Sequence, residues 1–326
     1  MHLTICFAVL IFTLVLTVII ERLIIPLLSA RASQPIYEGG PSWHLSKSGT
    51  PTMGGAAFIL ASLLTLGVGA IFLTAENRTA AISVLISLIY AFANSLVGIA
   101  DDLTKIHRRD NAGLTPMQKI FLQLILAIIF LMARAHYLGD STSIVFSFGK
   151  IDLGFLYYPI AILMLLGIVN CANLTDGIDG LAASVAFVIG IVLFFVGVLS
   201  SPDTALLSSA LIGASLGFLF FNLHPAKIFM GDTGSLFLGA LAVSCSFALK
   251  NPLIMVLVGG VYVIEGVSVI LQVLCFKISG KRILKMAPLH HHLEKCGCGE
   301  TKICILAMIL TLLLSITAFI IYSRIG

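Results

Sequence analysis

Phe229-Met230-Gly231-Asp232-Thr233-Gly234-Ser235 stands between two apolar runs, residues 204–221 and 235–249, in a 326-residue chain of which only 10% is charged. An acid followed by small hydroxyl and glycine residues, at the start of a new apolar run, reads as a helix N-terminus. Thr233 and Ser235 are expected to satisfy its free N–H groups, and those groups together with the helix dipole attract anions. A carboxylate beside an anion site repels the anion unless a divalent cation bridges them, as Mg²⁺ does between carboxylates and phosphate oxygens. Asp232 therefore poses the question for the rest of the chain: what else converges on it.

Working outward, 59% of the residues are hydrophobic and the mean hydropathy is +1.10. A soluble chain carries about 25% charged residues, so the class is an integral membrane protein. Apolar stretches cover residues 3–28, 53–73, 80–100, 117–133, 155–170, 181–199, 204–221, 235–249, 252–276 and 303–322. The expected fold is all-α, a single domain over 1–326 with about ten transmembrane helices, which puts both termini on one side. The first stretch is read as a retained span: no Lys or Arg precedes it, although Ala30-Arg31-Ala32 mimics a signal-peptidase site. Basic residues gather on one side (Arg31, Lys47, Lys105, Arg108, Arg109, Lys119, Lys227, Lys281, Arg282, Lys285), against Arg78, Arg134, Lys150, Lys250 and Arg324 on the other. The positive-inside rule makes the first side cytoplasmic and both termini extracytoplasmic. A net charge of +4 in such a chain concerns orientation rather than nucleic acid, which is not an expected partner. Seven cysteines, mostly within apolar runs, do not form a disulfide framework. Around Gly149-Lys150, residues 143–153 alternate in polarity and suggest a small outer hairpin.

The placement of acids is more pointed. Asp101, Asp102, Asp176, Asp179 and Asp232 all fall at the cytoplasmic ends of spans, where carboxylates are costly unless solvated or paired. The active face is therefore expected to be cytoplasmic. Asp101-Asp102 ends the third span, with Lys105 following. Adjacent side chains diverge by about 100° on a helix, so one acid can bind metal or act as base while the other orients it. The alternative is a solvated helix end. Asn173-Leu174-Thr175-Asp176-Gly177-Ile178-Asp179-Gly180 holds two acids three apart with no Lys or Arg, inviting a cation or a ligand's donors; the alternative is an Asx-turn connector. Phe229 is either a stacking surface or an interfacial anchor. Glu265, Ser268 and Gln272 give the ninth span one polar face, a candidate groove for a lipid tail, with the partner of Glu265 left open. His290-His291-His292 with Cys296 and Cys298 matches no standard zinc spacing, and imidazoles near carboxylates suit a phosphate-rich substrate better. Acids for Mg²⁺, cations for phosphates and a polar intramembrane face fit phosphoryl transfer between a soluble and a lipid-borne substrate. A transporter fits less well, because the acids sit at one face rather than at mid-membrane.

These motifs resemble those of the polyprenyl-phosphate N-acetylhexosamine-1-phosphate transferases. The likeness runs from Gln34 to about Lys302 and rests on Lys47-Ser48-Gly49-Thr50-Pro51-Thr52-Met53-Gly54-Gly55, Asp101-Asp102 with Lys105, residues 173–180, residues 229–235 and Met286-Ala287-Pro288-Leu289-His290-His291-His292. The first and last of these favour the branch that uses a muramoyl-pentapeptide donor over the branch that transfers GlcNAc-1-phosphate. Residues 38–44 and Cys298 depart from the usual pattern. The resemblance implies Mg²⁺-dependent transfer of phospho-MurNAc-pentapeptide from UDP-MurNAc-pentapeptide to undecaprenyl phosphate, giving lipid I and UMP, at the inner face of the bacterial cytoplasmic membrane. It implies Asp101, Asp102 and Asp232 as catalytic residues, with Asp232 on the metal and Asp101 as the favoured base. Lys105, Lys119, His290, His291 and His292 would stabilise phosphate charge. Lys47, Asp179 and Phe229 would line a uridine pocket with Asn173, Asp176 and Gln272 nearby, and Thr52, Asn222 and Ser235 complete the substrate-binding set. A two-step route through a phosphorylated acid, and association as a homodimer, stay open.

Overall fold

The computed structural model describes residues 2–29, 47, 49–108, 113–146 and 149–323. Residues 30–32 and 38–44, Ser48, Arg109 and Arg324 lie outside the described residues. In chain order the elements begin with α1 (His2–Ser29), α2 (Gly55–Thr74), α3 (Arg78–Arg108), α4 (Pro116–Leu138), β1 (Ser143–Phe146) and β2 (Gly149–Asp152). They continue with α5 (Tyr157–Thr175), α6 (Leu181–Ser200), α7 (Pro202–Asn222) and α8 (Gly231–Ala248). The last are α9 (Met255–Val258), α10 (Gly260–Ser279), α11 (Leu289–Lys295) and α12 (Glu300–Ser323). Backbone groups in a bilayer must be satisfied within the segment, which apolar runs achieve as helices. Nine of these helices, all except α8, α9 and α11, are long and apolar enough to cross a membrane.

Helix α8 is the axis of the bundle. It packs on α3, α5, α7 and α2, and residues 233–248 are all buried. Its Gly, Ser and Ala content lowers its hydropathy but lets neighbouring backbones close in. A Cβ on Gly98 of α3 would lie 2.3 Å from Asp232 O, and one on Gly55 of α2 would lie 2.3 Å from Gly234 Cα. Only glycine admits that approach, so the N-terminus of α8 is wedged between α2 and the C-terminal half of α3. The preceding segment is fixed by strand-like bonds: Phe229 N donates to Pro51 O at 2.8 Å, and Gly54 N donates to Phe229 O at 2.9 Å.

Three expected boundaries change. Helix α8 starts at Gly231 rather than at residue 235, so Asp232 lies in its first turn. The third span continues to Arg108, which places Asp101 and Asp102 inside a helix rather than at its end. The stretch from residue 252 is broken: a 3₁₀ turn (Pro252–Ile254) and α9 precede Gly259, and α10 begins beyond it. The expected hairpin is present: β1 and β2 pair antiparallel, with Ser143 opposite Asp152 and Phe146 opposite Gly149.

Helices α3, α4 and α8 meet at both of their ends. At one end Arg134 of α4 is buried; its Nε donates to Asp140 at 2.7 Å, Nη1 to Ser83 Oγ at 3.2 Å and Nη2 to Phe247 O at 2.9 Å. At the other end α4 starts with a capping box. Gln118 N donates to Thr115 Oγ1, and Thr115 N donates to Gln118 Oε1 at 2.9 Å, with Pro116 at the first helical position. That box sets Lys119 in the first turn, facing the acids.

Candidate active site

Asp101 and Asp102 are 1% and 2% exposed, which overturns the solvated-end alternative. Their side chains diverge as the helix demands. Asp101 Oδ2 lies 2.6 Å from Lys105 Nζ, and Oδ1 lies 3.2 Å from Lys119 Nζ while accepting from Leu114 N at 2.8 Å. Asp102 turns to α8: its Oδ2 accepts from Thr233 N at 2.9 Å and Thr233 Oγ1 at 2.7 Å, and its Oδ1 accepts from Asp232 N at 3.2 Å. The expected cap from Thr233 and Ser235 is thus corrected. The first-turn amides are held by a carboxylate from another helix, and Ser235 Oγ donates to Gly231 O while accepting from Asn173 Nδ2. The anion at this N-terminus is Asp102 itself, stabilised by the amides and the dipole.

Asp232 completes the cluster. Its Oδ1 is 3.3 Å from Lys105 Nζ and its Oδ2 pairs with Lys119. Oxygens of Asp101, Asp102 and Asp232 all lie within 4.8 Å of one another. Three carboxylates face two ammonium groups, so negative charge is in excess. An all-oxygen donor set with excess negative charge fits a hard divalent cation such as Mg²⁺. Thr52, 1% exposed, adds a hydroxyl with no hydrogen-bond partner among the described residues; a Cβ on Gly231 would lie 3.0 Å from it and 2.5 Å from Asp102 Oδ2. Close by, burial and the carboxylates of Asp232, Asp102 and Asp179 push the Asp176 carboxyl up to about 8.

A second group forms around Asp179. Lys47 Nζ bridges Asp179 Oδ1 and Glu300 Oε2, each at 2.7 Å, and Glu300 also accepts from Asp179 N. His224 Nδ1 and Ala226 N both lie 3.0 Å from Asp179 Oδ2. Asp179, His224 and Glu300 form another set of candidate cation ligands, with Lys47 as their present counter-charge. Phe229 is half-buried on the strand-like segment beside Pro51. Asn222 is buried with both ends of its amide on backbone: its Oδ1 accepts from Gly180 N and its Nδ2 donates to Ile228 O. It ties the acid loop to the segment leading into Asp232.

The histidines are not equivalent. His290 is fully buried, with Nδ1 at 3.1 Å from Glu265 Oε2. His291 Nδ1 meets Glu294 at 2.6 Å, and His292 Nδ1 accepts from Lys285 N at 3.1 Å. Gln272 Oε1 accepts from Ile283 N and Leu284 N, and Ser268 Oγ accepts from Leu289 N. The polar face of α10 therefore holds residues 283–290 of its own chain rather than serving as an open groove for a lipid tail. Sequence reading missed Glu300, His224 as an Asp179 partner, and the Glu265–His290 pair. Glu300 was within reach, since it too is an acid at the start of an apolar helix.

Residues 82–250 match the model of glycosyl transferase family 4, and residues 47–59 match the phospho-N-acetylmuramoyl-pentapeptide-transferase signature 1. The chain is 45% identical over 307 residues to a phospho-N-acetylmuramoyl-pentapeptide-transferase of Clostridium perfringens, covering 92% of each chain. It is 43% identical to the protein of that name from Clostridium botulinum, covering 93% of this chain and 92% of the relative. With that from Halalkalibacterium halodurans it shares 41% identity over 90% of each. With the signature falling on Lys47 and the family model spanning both carboxylate helices, the chain belongs to the phospho-N-acetylmuramoyl-pentapeptide-transferase family of membrane enzymes.

Proposed function

We propose that the chain transfers phospho-MurNAc-pentapeptide from UDP-MurNAc-pentapeptide to undecaprenyl phosphate, giving lipid I and UMP, the first membrane step of peptidoglycan synthesis. The observation that carries this is the convergence of Asp101, Asp102 and Asp232 with Lys105 and Lys119 at one end of the bundle, in a chain of this family. Asp232 would hold Mg²⁺, which would supply neutralisation of the donor's phosphate charge. Asp101 takes the proton of undecaprenyl phosphate, whose oxygen then attacks the sugar-linked phosphorus as the bond to UMP breaks. Asp102 fixes the first turn of α8 and so the position of Asp232. Lys105 and Lys119, which neutralise the acids here, turn to phosphate oxygens when the substrate binds, a role of positioning and electrostatics. Lys47, Asp179 and Phe229 form the uridine end, with Asn173, Asp176 and Gln272 near it, Thr52 and Ser235 beside the first turn of α8, and the His290–His292 stretch beside the phosphosugar.

The bundle lies in the bacterial inner membrane with the acid end facing the cytoplasm. Counting α8 as a tenth span supports this: its 18 residues, Gly231–Ala248, join the acid end to the Arg134 end over about 27 Å at 1.5 Å per residue. Ten spans return the chain to its starting side, with both termini outside. Donor choice separates this function from the sister reaction. Purified protein supplied with undecaprenyl phosphate and Mg²⁺ is expected to release UMP from UDP-MurNAc-pentapeptide and not from UDP-GlcNAc; the reverse preference would reassign the chain to the sister branch.

A further inference from the structure

Glu265 is the only acid on α10 and is 5% exposed, yet it touches none of the three carboxylates of the metal cluster. Its carboxylate faces one residue twice: His290 N donates to Oε2 at 3.3 Å, and His290 Nδ1 lies 3.1 Å from the same oxygen. A carboxylate at Nδ1 selects the tautomer that carries hydrogen there, which leaves Nε2 with a free lone pair. That Nε2 is buried and has no hydrogen-bond partner among the described residues. It points at the acid loop, for a Cβ on Gly177 would stand 2.2 Å from it. An unpaired lone pair is the cheaper of the two buried states, because an imidazolium would bury an unpaired N–H bearing charge. The groups set against the ring are Glu265 from α10, Gly177 of the loop, and the neighbouring ring of His291, with centroids 4.2 Å apart. His291 and His292 are engaged instead through local partners, Glu294 and the Lys285 amide.

We propose that Glu265 is a positioning residue for the transfer: it locks His290 as the Nδ1–H tautomer and so seats the bare Nε2 edge against Gly177, fixing the loop that carries Asp176 and Asp179. This rests on the function proposed above, and it changes the role expected for His290 from phosphate cation to a support of the acid loop. A carboxylate that orients a histidine is worth about 10- to 100-fold when removed. Glu265→Gln keeps an acceptor for Nδ1–H, whereas Glu265→Leu does not.

The test pairs two readouts on detergent-purified protein. Nitrogen-15 NMR of histidine-labelled protein, assigned through His290→Asn, reads the tautomer without turnover. The expected result is Nδ1–H in wild type and Glu265→Gln, and a mixed or Nε2–H population in Glu265→Leu. UMP release then gives kcat and KM: Glu265→Leu is expected to lose about 10- to 100-fold in kcat/KM, Glu265→Gln to recover most of it, and Glu265→Leu/His290→Asn to be no worse than His290→Asn alone. An Nε2–H tautomer in wild type, or additive losses in the double variant, would overturn the proposal. Correct tautomers with no UMP release from wild type would sink the proposed reaction and leave the positioning geometry standing.

Discussion

The two ends of α3, α4 and α8 carry the same kind of interaction with opposite accounting. At the Arg134 end, one guanidinium meets one carboxylate, and its other two nitrogens each donate once, to Ser83 and the Phe247 carbonyl. Charge is matched there, and each nitrogen has a partner. At the Asp232 end, three carboxylates meet two lysines, and the hydroxyl of Thr52 is left over. Buried ion pairs hold a fold only when each group is matched, since desolvation otherwise exceeds the Coulomb gain. The matched end is therefore structural, and the unmatched end is kept for what binds to it. Helix α8 links them: its last turn receives Arg134, and its first turn is held by Asp102.

The difference can be broken most forcibly at Asp101, whose oxygens face both lysines. Asp101→Asn is expected to cut UMP release on the order of 10³-fold, about 4 kcal/mol in the barrier, with little change in melting temperature. Asp102→Asn should act differently. It loses about 10²-fold and also lowers stability by about 1 kcal/mol, because the amides of α8 lose their cap. Equal stability of the two variants in thermal unfolding would erase the distinction drawn between the adjacent acids.

At the opposite end, Arg134→Met strands Asp140 and the Phe247 carbonyl, and is expected to cost about 3 kcal/mol of stability while turnover per folded molecule stays within about twofold. Adding Asp140→Leu should restore most of the loss. A fall in turnover that matches Asp101→Asn would mean that the two ends are not separate in function.

A pH effect concerns Asp176, whose folded-state pKa of about 8 exceeds the unfolded value of about 3.9. The folded protein then binds more protons than the unfolded chain across this window, so stability falls as pH rises from about 4 to 8. In chelator, the melting temperature of wild type should decline over that range, and Asp176→Asn should flatten the decline. Parallel curves would remove Asp176 from the crowded charge at this end.

Much of this was legible in the chain. Apolar length alone located the helices, because the bilayer leaves the backbone no other choice. The acids of one face were visible as a set, since charge is rare here and each Asp stood at an apolar boundary. The Ser143–Asp152 alternation likewise foretold the hairpin. What escaped was pairing between distant segments. Nothing in residues 229–235 says that their amides are held by Asp102 from 130 positions earlier. The polar face of α10 was correctly seen as a face, but hydropathy cannot distinguish a groove open to lipid from a strip gripping residues 283–290. Gly259 interrupts a run whose composition continues unbroken, because the break comes from backbone conformation rather than polarity. Lys47 was placed near Asp179 by likeness to a family, while Glu300, its other partner, lies on α12 and carries no local signal of that contact.

The most direct test is a Mg²⁺ titration of UMP release from UDP-MurNAc-pentapeptide, with and without undecaprenyl phosphate, for wild type and Asp232→Asn. Wild type is expected to require both metal and lipid and to saturate with Mg²⁺, while folded Asp232→Asn stays near background at every Mg²⁺ concentration. Release by Asp232→Asn at the wild-type rate, with the same Mg²⁺ dependence, would contradict the claim that the unmatched carboxylate cluster at the head of α8 is where the phosphate is transferred.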